Sequence, residues 1–155
     1  MKPLRIIVTF VAGLALSALF ASQATAADIN DLKDAYYGNH WSLSNPGLEP
    51  QPGLLTITGK DGNQFTATLE KVGGHNGQRI VAEGKGRVSP EGHIFWVGYV
   101  SNAGTPIIRV EFNGELSVTG KAIGGGRFTA RGAFPDGVKI KDVSFFQWET
   151  PVPQP

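Results

Sequence analysis

Three histidines, His40, His75 and His93, are the side chains in this 155-residue chain best suited to acid–base or metal chemistry. Zinc sites gather such rings at short spacings or on one face of an element. Here no two stand at i, i+2 or i+4, and His75 sits in the glycine-rich stretch Gly73–Gly77, so no metal site is expected. The chain has no cysteine, which excludes thiol catalysis, cysteine metal ligands and a disulfide framework. Its serines lack the context of a nucleophile elbow. Gly124-Gly125-Gly126-Arg127 ends in no Lys-Ser/Thr pair and precedes no helical pattern, as a phosphate loop would require. Asp136 and Asp142 fit turn and bulge positions better than a catalytic carboxylate pair. These residues assign no catalytic group and no cofactor.

Aromatic chemistry is better represented. Tyr36, Tyr37, His40 and Trp41 cluster within six positions and are the candidate ligand-binding residues, because flat rings stack on ring-bearing ligands. The same four residues would serve a purely structural role if Trp41 plugged one end of a barrel and the tyrosines packed a helix. A second group is apolar on both faces of its strand. In His93 to Val100, Phe95, Val97 and Tyr99 alternate with Ile94, Trp96 and Val100. The last strand repeats the pattern with Val143, Phe145, Phe146 and Trp148, where a bulge near Asp142 would switch the facing. A half-solvated strand should be polar on one side. Phe95, Trp96, Tyr99, Phe145, Phe146 and Trp148 are therefore the candidate partner interface, for another protein or a second copy of the chain. Coverage by an N-terminal helix or the C-terminal tail is the structural alternative.

These groups must be held by strands. From Leu54 onward, period-two alternation is interrupted at short intervals by turn residues. Phe65, Ala67 and Leu69 alternate with Thr66, Thr68 and Glu70; Ile108, Val110 and Phe112 share a face. Asp61-Gly62, Asn102-Ala103-Gly104, Asn113-Gly114, Gly124–Gly126 and Asp136-Gly137 read as turns. With Trp41–Leu43 as a short first strand, the count is eight or nine. Asp28 to Tyr37 is the one expected helix, with Asp28 or Asn30 as its cap. Short hairpins pair each strand with its sequence neighbour, so an antiparallel up-and-down meander is expected. Closure into a barrel removes the edges that such a meander would leave exposed. Small inward residues (Ala82, Gly84, Gly86, Gly120, Gly132) suit sharp coiling or leave interior space.

The N-terminus has a different composition. Lys2 and Arg5 precede an uncharged apolar run from Ile6 to Ala21, and Ala24-Thr25-Ala26 supplies small residues for a signal peptidase. Residues 1–26 are read as a cleaved signal peptide, 27–150 as a single β-barrel domain and 151–155 as a disordered tail. The apolar run is short for a spanning helix, which needs roughly 20 residues. The precursor has 14 Lys+Arg against 13 Asp+Glu, so removing Lys2 and Arg5 leaves 12 against 13, a net charge of −1. A balance so close to neutral gives no reason to expect a nucleic-acid partner. The outward positions of the later strands carry Glu83, Lys85, Arg87, Arg109, Arg127 and Lys141, where a membrane barrel would present an apolar band. A soluble periplasmic or secreted protein without membrane insertion is expected.

Gly38-Asn39-His40-Trp41, followed by the hairpin pattern Leu54 to Leu69, resembles the calycin-type small β-barrels: the lipocalins, the avidins and the bacterial protease-inhibitor barrels. Lipocalins place one residue between glycine and tryptophan where this chain has two, and the inhibitor barrels usually carry a disulfide. The resemblance implies a meander barrel and assigns no ligand. Two functions follow as expectations. One is a barrel that holds a small apolar or aromatic molecule inside. The other is an interaction, inhibitor or oligomer module that uses aromatic strands outside. They differ in whether the interior is open or filled by Phe and Trp side chains.

Overall fold

The structure, a computed structural model, describes residues 26–152. The expected signal peptide lies outside them except for Ala26, as do residues 153–155 of the expected tail. Eight strands close into one antiparallel barrel in sequence order: β1 Ala35–Ser42, β2 Gln51–Asp61, β3 Gln64–His75, β4 Gln78–Val88, β5 His93–Asn102, β6 Thr105–Leu116, β7 Ala122–Ala133 and β8 Lys139–Glu149. Each strand pairs with its neighbour, and β1 closes on β8 from Tyr37↔Glu149 to Ser42↔Ser144. The meander and its closure agree with the alternation in the sequence.

Three local expectations are corrected. No helix forms among the described residues. Asp28–Asp31 is instead a tight turn, in which Asn30 N–H donates to Asp28 Oδ1 at 2.7 Å and Asp28 N–H to Asp31 Oδ2 at 2.9 Å. A ten-residue segment is too short to hold a helix by itself, and Ala35–Tyr37 pair with Leu54–Thr56 of β2. Asn113-Gly114 and Gly124–Gly126 are not turns. β6 runs through the first, and β7 takes up the second as a bulge between Gly124 and Arg127, while the chain reverses at Ser117–Lys121. This leaves eight strands, not nine. Likewise β3 continues through Gly73 and Gly74 to His75, and the reversal is the two-residue turn Asn76-Gly77, whose φ of 49° and 75° are what a type I′ hairpin needs.

The two ends of the barrel differ. One end is closed by the N-terminal segment, with Ala27 and Leu32 fully buried against the barrel core. Its backbone is tied down by Ile57 N–H donating to Asp34 O at 2.8 Å and by the Lys60 ammonium donating to Leu32 O. The other end, ringed by the β1–β2, β3–β4, β5–β6 and β7–β8 connections, is the mouth. Outside, Glu83, Lys85, Arg87, Arg109, Arg127 and Lys141 are exposed. No helix of the described residues is long and apolar enough to cross a membrane.

Candidate ligand-binding site

Below the middle of the barrel the interior is filled by rings. Phe65 lies over Gly86, where an added Cβ would stand 2.4 Å from its Cζ. Trp96 lies over Gly98, at 2.2 Å by the same measure. Setting an aromatic side chain on a bare glycine fills the volume that the missing Cβ leaves in a coiled sheet. Trp96 stacks on Phe112 at 5.6 Å, and Phe112 meets Phe146 and Trp148 at 5.4 and 5.1 Å. Tyr36 completes this end. It is fully buried, accepts from Lys33 N–H and donates to Gly120 O, both at 2.7 Å.

Toward the mouth the inward positions carry smaller, mostly aliphatic side chains. They enclose a cavity of about 190 Å³ walled by Leu69, Ile80, Ala82, Val100, Val110 and Phe128, with Trp148 between it and the filled half. A dry apolar cavity of roughly 150 Å³ takes up benzene or xenon, so this one has room for a single ring or a short chain. The cavity has one polar wall. His40, inward on β1, stacks on Phe128 at 4.5 Å. Burial pushes its pKa below the ordinary imidazole value against the upward pull of Asp142, and Lys71 adds to the lowering. Beside it Asp142 accepts from Ser42 Oγ at 2.5 Å through Oδ1 and from Ser144 Oγ through Oδ2. Neither nitrogen of His40 has a hydrogen-bond partner among the described residues, although the ring lines the cavity.

The mouth is partly bridged. His75, at the tip of β3–β4, stacks on Phe134 of the β7–β8 connection at 4.0 Å, and its Nε2 lies 3.1 Å from Asp136 Oδ2. Asn76 Nδ2 donates to the same carboxylate oxygen at 2.9 Å. Asp136 also accepts from Val138 N–H; this bond, and secondarily His75, holds its carboxyl below the usual range.

The candidate residues read from the sequence separate in space. Of the four aromatic candidates, only His40 lines the cavity. Tyr36 is inside but at the closed end; Tyr37 and Trp41 alternate to the outer face. Trp41 does not plug the barrel: it stacks on Phe145 across the β1–β8 seam at 5.0 Å. The partner candidates divide by facing. Phe95, Tyr99 and Phe145 are outward and 40–48% exposed, whereas Trp96, Phe146 and Trp148 are buried inside the barrel. No bulge lies near Asp142. β8 alternates strictly, which turns Asp142 inward and makes it part of the polar wall. Among the described residues, neither a helix nor the start of the tail covers the outward ring stripe of β5. Cross-strand charged neighbours flank it instead, Arg87 beside Phe95 on β4 and Arg109 beside Tyr99 on β6. Sequence reasoning missed Phe128, Asp142 and the His75–Phe134 bridge. Strict alternation through β8 was the available signal for Asp142.

No protein-family model matches the sequence, and a comparison with curated proteins finds no significant match. Among solved structures the chain is similar to a redesigned β-barrel, with a TM-score of 0.54 and 10% identity over 81% of this chain and all of the other. At that identity the likeness shows the fold, a closed antiparallel barrel, and does not establish a lipocalin or avidin relationship.

Proposed function

We propose that this chain is an exported, water-soluble barrel that binds one small, largely apolar ligand in its open half. The observation that carries the reading is the division of the interior. The same alternating strands that fill one end with rings leave about 190 Å³ at the other, lined by aliphatic and aromatic side chains with one polar wall. A cavity that served only folding would be a cost, since unfilled apolar volume destabilises a core. The charged outer face and the signal-like N-terminus support a periplasmic or secreted setting.

The test is calorimetric titration of the protein lacking residues 1–26 with toluene, followed in parallel by tryptophan fluorescence, since Trp148 borders the cavity. Saturable one-to-one binding is expected. Titration heats no larger than dilution, with unchanged fluorescence, would remove the reading.

The outward rings Trp41, Phe145, Phe95 and Tyr99 favour a second reading, an interaction or oligomer module. Light scattering after size exclusion separates the two. A dimer dispersed by Phe145→Ser supports the module, and a monomer at high concentration that binds no apolar dye counts against it.

A further inference from the structure

The polar wall of the cavity carries a statement about the ligand that its apolar lining does not. Asp142 already accepts one hydroxyl proton on each carboxylate oxygen, from Ser42 and Ser144, and Ser144 is fully buried. Each oxygen of an ionised carboxylate keeps a further acceptor position. His40 stands in the same wall with its ring fixed against Phe128 and its nitrogens unpartnered among the described residues. A neutral imidazole presents one donor and one acceptor. Lys71 faces inward at the rim, so the cavity's charged side chains include one cation near one anion. A group placed against this wall can donate to a carboxylate and accept from an imidazole N–H; of the charged side chains around the cavity, Lys71 and Asp142 are opposite in sign and Glu70 is ion-paired with Arg79.

A hydroxyl meets both demands with one atom. An ammonium can donate to Asp142 but accepts nothing from His40 and is opposed by Lys71. A carboxylate would face Asp142. The flat faces of Phe128 and Trp148 and the size of the cavity set the rest of the molecule as one compact ring. We infer that the open half of the barrel recognises a neutral, singly hydroxylated ring of the phenol class, its hydroxyl donating to Asp142 and accepting from His40. The inference rests on the cavity being a binding site.

Four probes of nearly equal size test it: toluene, p-cresol, benzylamine and benzoate, titrated into the protein lacking residues 1–26 at pH 7.5. p-Cresol is expected to bind about tenfold more tightly than toluene, the scale of one well-made hydrogen bond to a charged group. Benzylamine and benzoate are expected to bind no tighter than toluene. His40→Phe keeps a ring against Phe128 and Asp142→Asn keeps the shape of the wall. In both, whatever the change in toluene affinity itself, the p-cresol advantage over toluene should fall below threefold. Equal binding of toluene and p-cresol by the unaltered protein overturns the inference and leaves the cavity reading standing, as does a preference for benzylamine or benzoate. Failure of all four probes overturns both. The ratio in the unaltered protein decides the matter even where one variant does not fold.

Discussion

The closed and open halves of this barrel are made by the same strands, with the same inside–outside alternation, yet one is solid and the other hollow. In the closed half large rings are laid over glycines, Phe65 over Gly86 and Trp96 over Gly98. In the open half the inward positions are mostly small or aliphatic, Leu69, Ile80, Ala82, Val100 and Ala130 among them, with the His40 and Phe128 rings stacked at one side. What differs is the distribution of side-chain volume between neighbouring strands, and that sets whether an apolar interior is a core or a site.

This division predicts opposite responses to substitution. The largest effect is expected from Trp96→Ala, which empties the centre of the filled half. Loss of about 3–5 kcal/mol in urea-induced unfolding should follow, with toluene affinity little changed wherever the variant remains folded. Parallel loss of stability and affinity at low denaturant would show that the halves are not separate. Tyr36→Phe, also in the closed half, should cost about 1–2 kcal/mol by leaving Lys33 N–H and Gly120 O without their partner. Burial raises the Tyr36 phenol to about 12, against 10.0 for a free tyrosine. The folded state thus keeps a proton that the unfolded chain releases, so stability declines as pH rises from about 10 toward 12. The variant should lack that part of the alkaline slope in pH-dependent melts.

In the open half the signs reverse. Ala82→Leu puts three further carbons into the cavity. Its unfolding free energy should shift by less than about 1 kcal/mol, yet toluene binding should weaken at least tenfold. Retained binding would place the ligand elsewhere. The smallest effect concerns His40, whose pKa is depressed by burial. On acidification below about 6.5 the unfolded chain takes up a proton that the folded chain resists, so stability falls. Denaturant melts of His40→Phe should show a flatter slope between pH 7 and 5, and an unchanged slope would mean the ring is solvated.

The barrel could be read from the sequence because each strand turns one apolar row inward, and rows such as Phe65, Ala67, Leu69 or Ile108, Val110, Phe112 state that facing outright. Glycine runs were less legible. Gly124–Gly126 serves equally as a turn or a bulge in isolation, and only the register against Asn113 and Gln147 decides for the bulge. The N-terminal segment misleads for a related reason: Asp28–Tyr37 has a helical pattern, but the pairing of β1 with β2 and β8 takes its last three residues, Ala35–Tyr37, into the sheet. Of the site, only His40 stood out. Its partners Phe128 and Asp142 come from β7 and β8, about 90 and 100 residues away, and meet it because the barrel closes. Depth along the barrel axis depends on strand tilt, which alternation does not encode. That is why Tyr36 and His40, four residues apart and both inward, lie at opposite ends.

The comparison of halves is tested most directly by diffraction from a crystal of this protein pressurised with xenon, an atom that reports apolar volume without preference for polar groups. A single strong site is expected between Leu69, Val110, Phe128 and Trp148, with none among Phe65, Trp96 and Phe112. Xenon in the closed half, or none in the open half, would contradict the division on which the binding function rests.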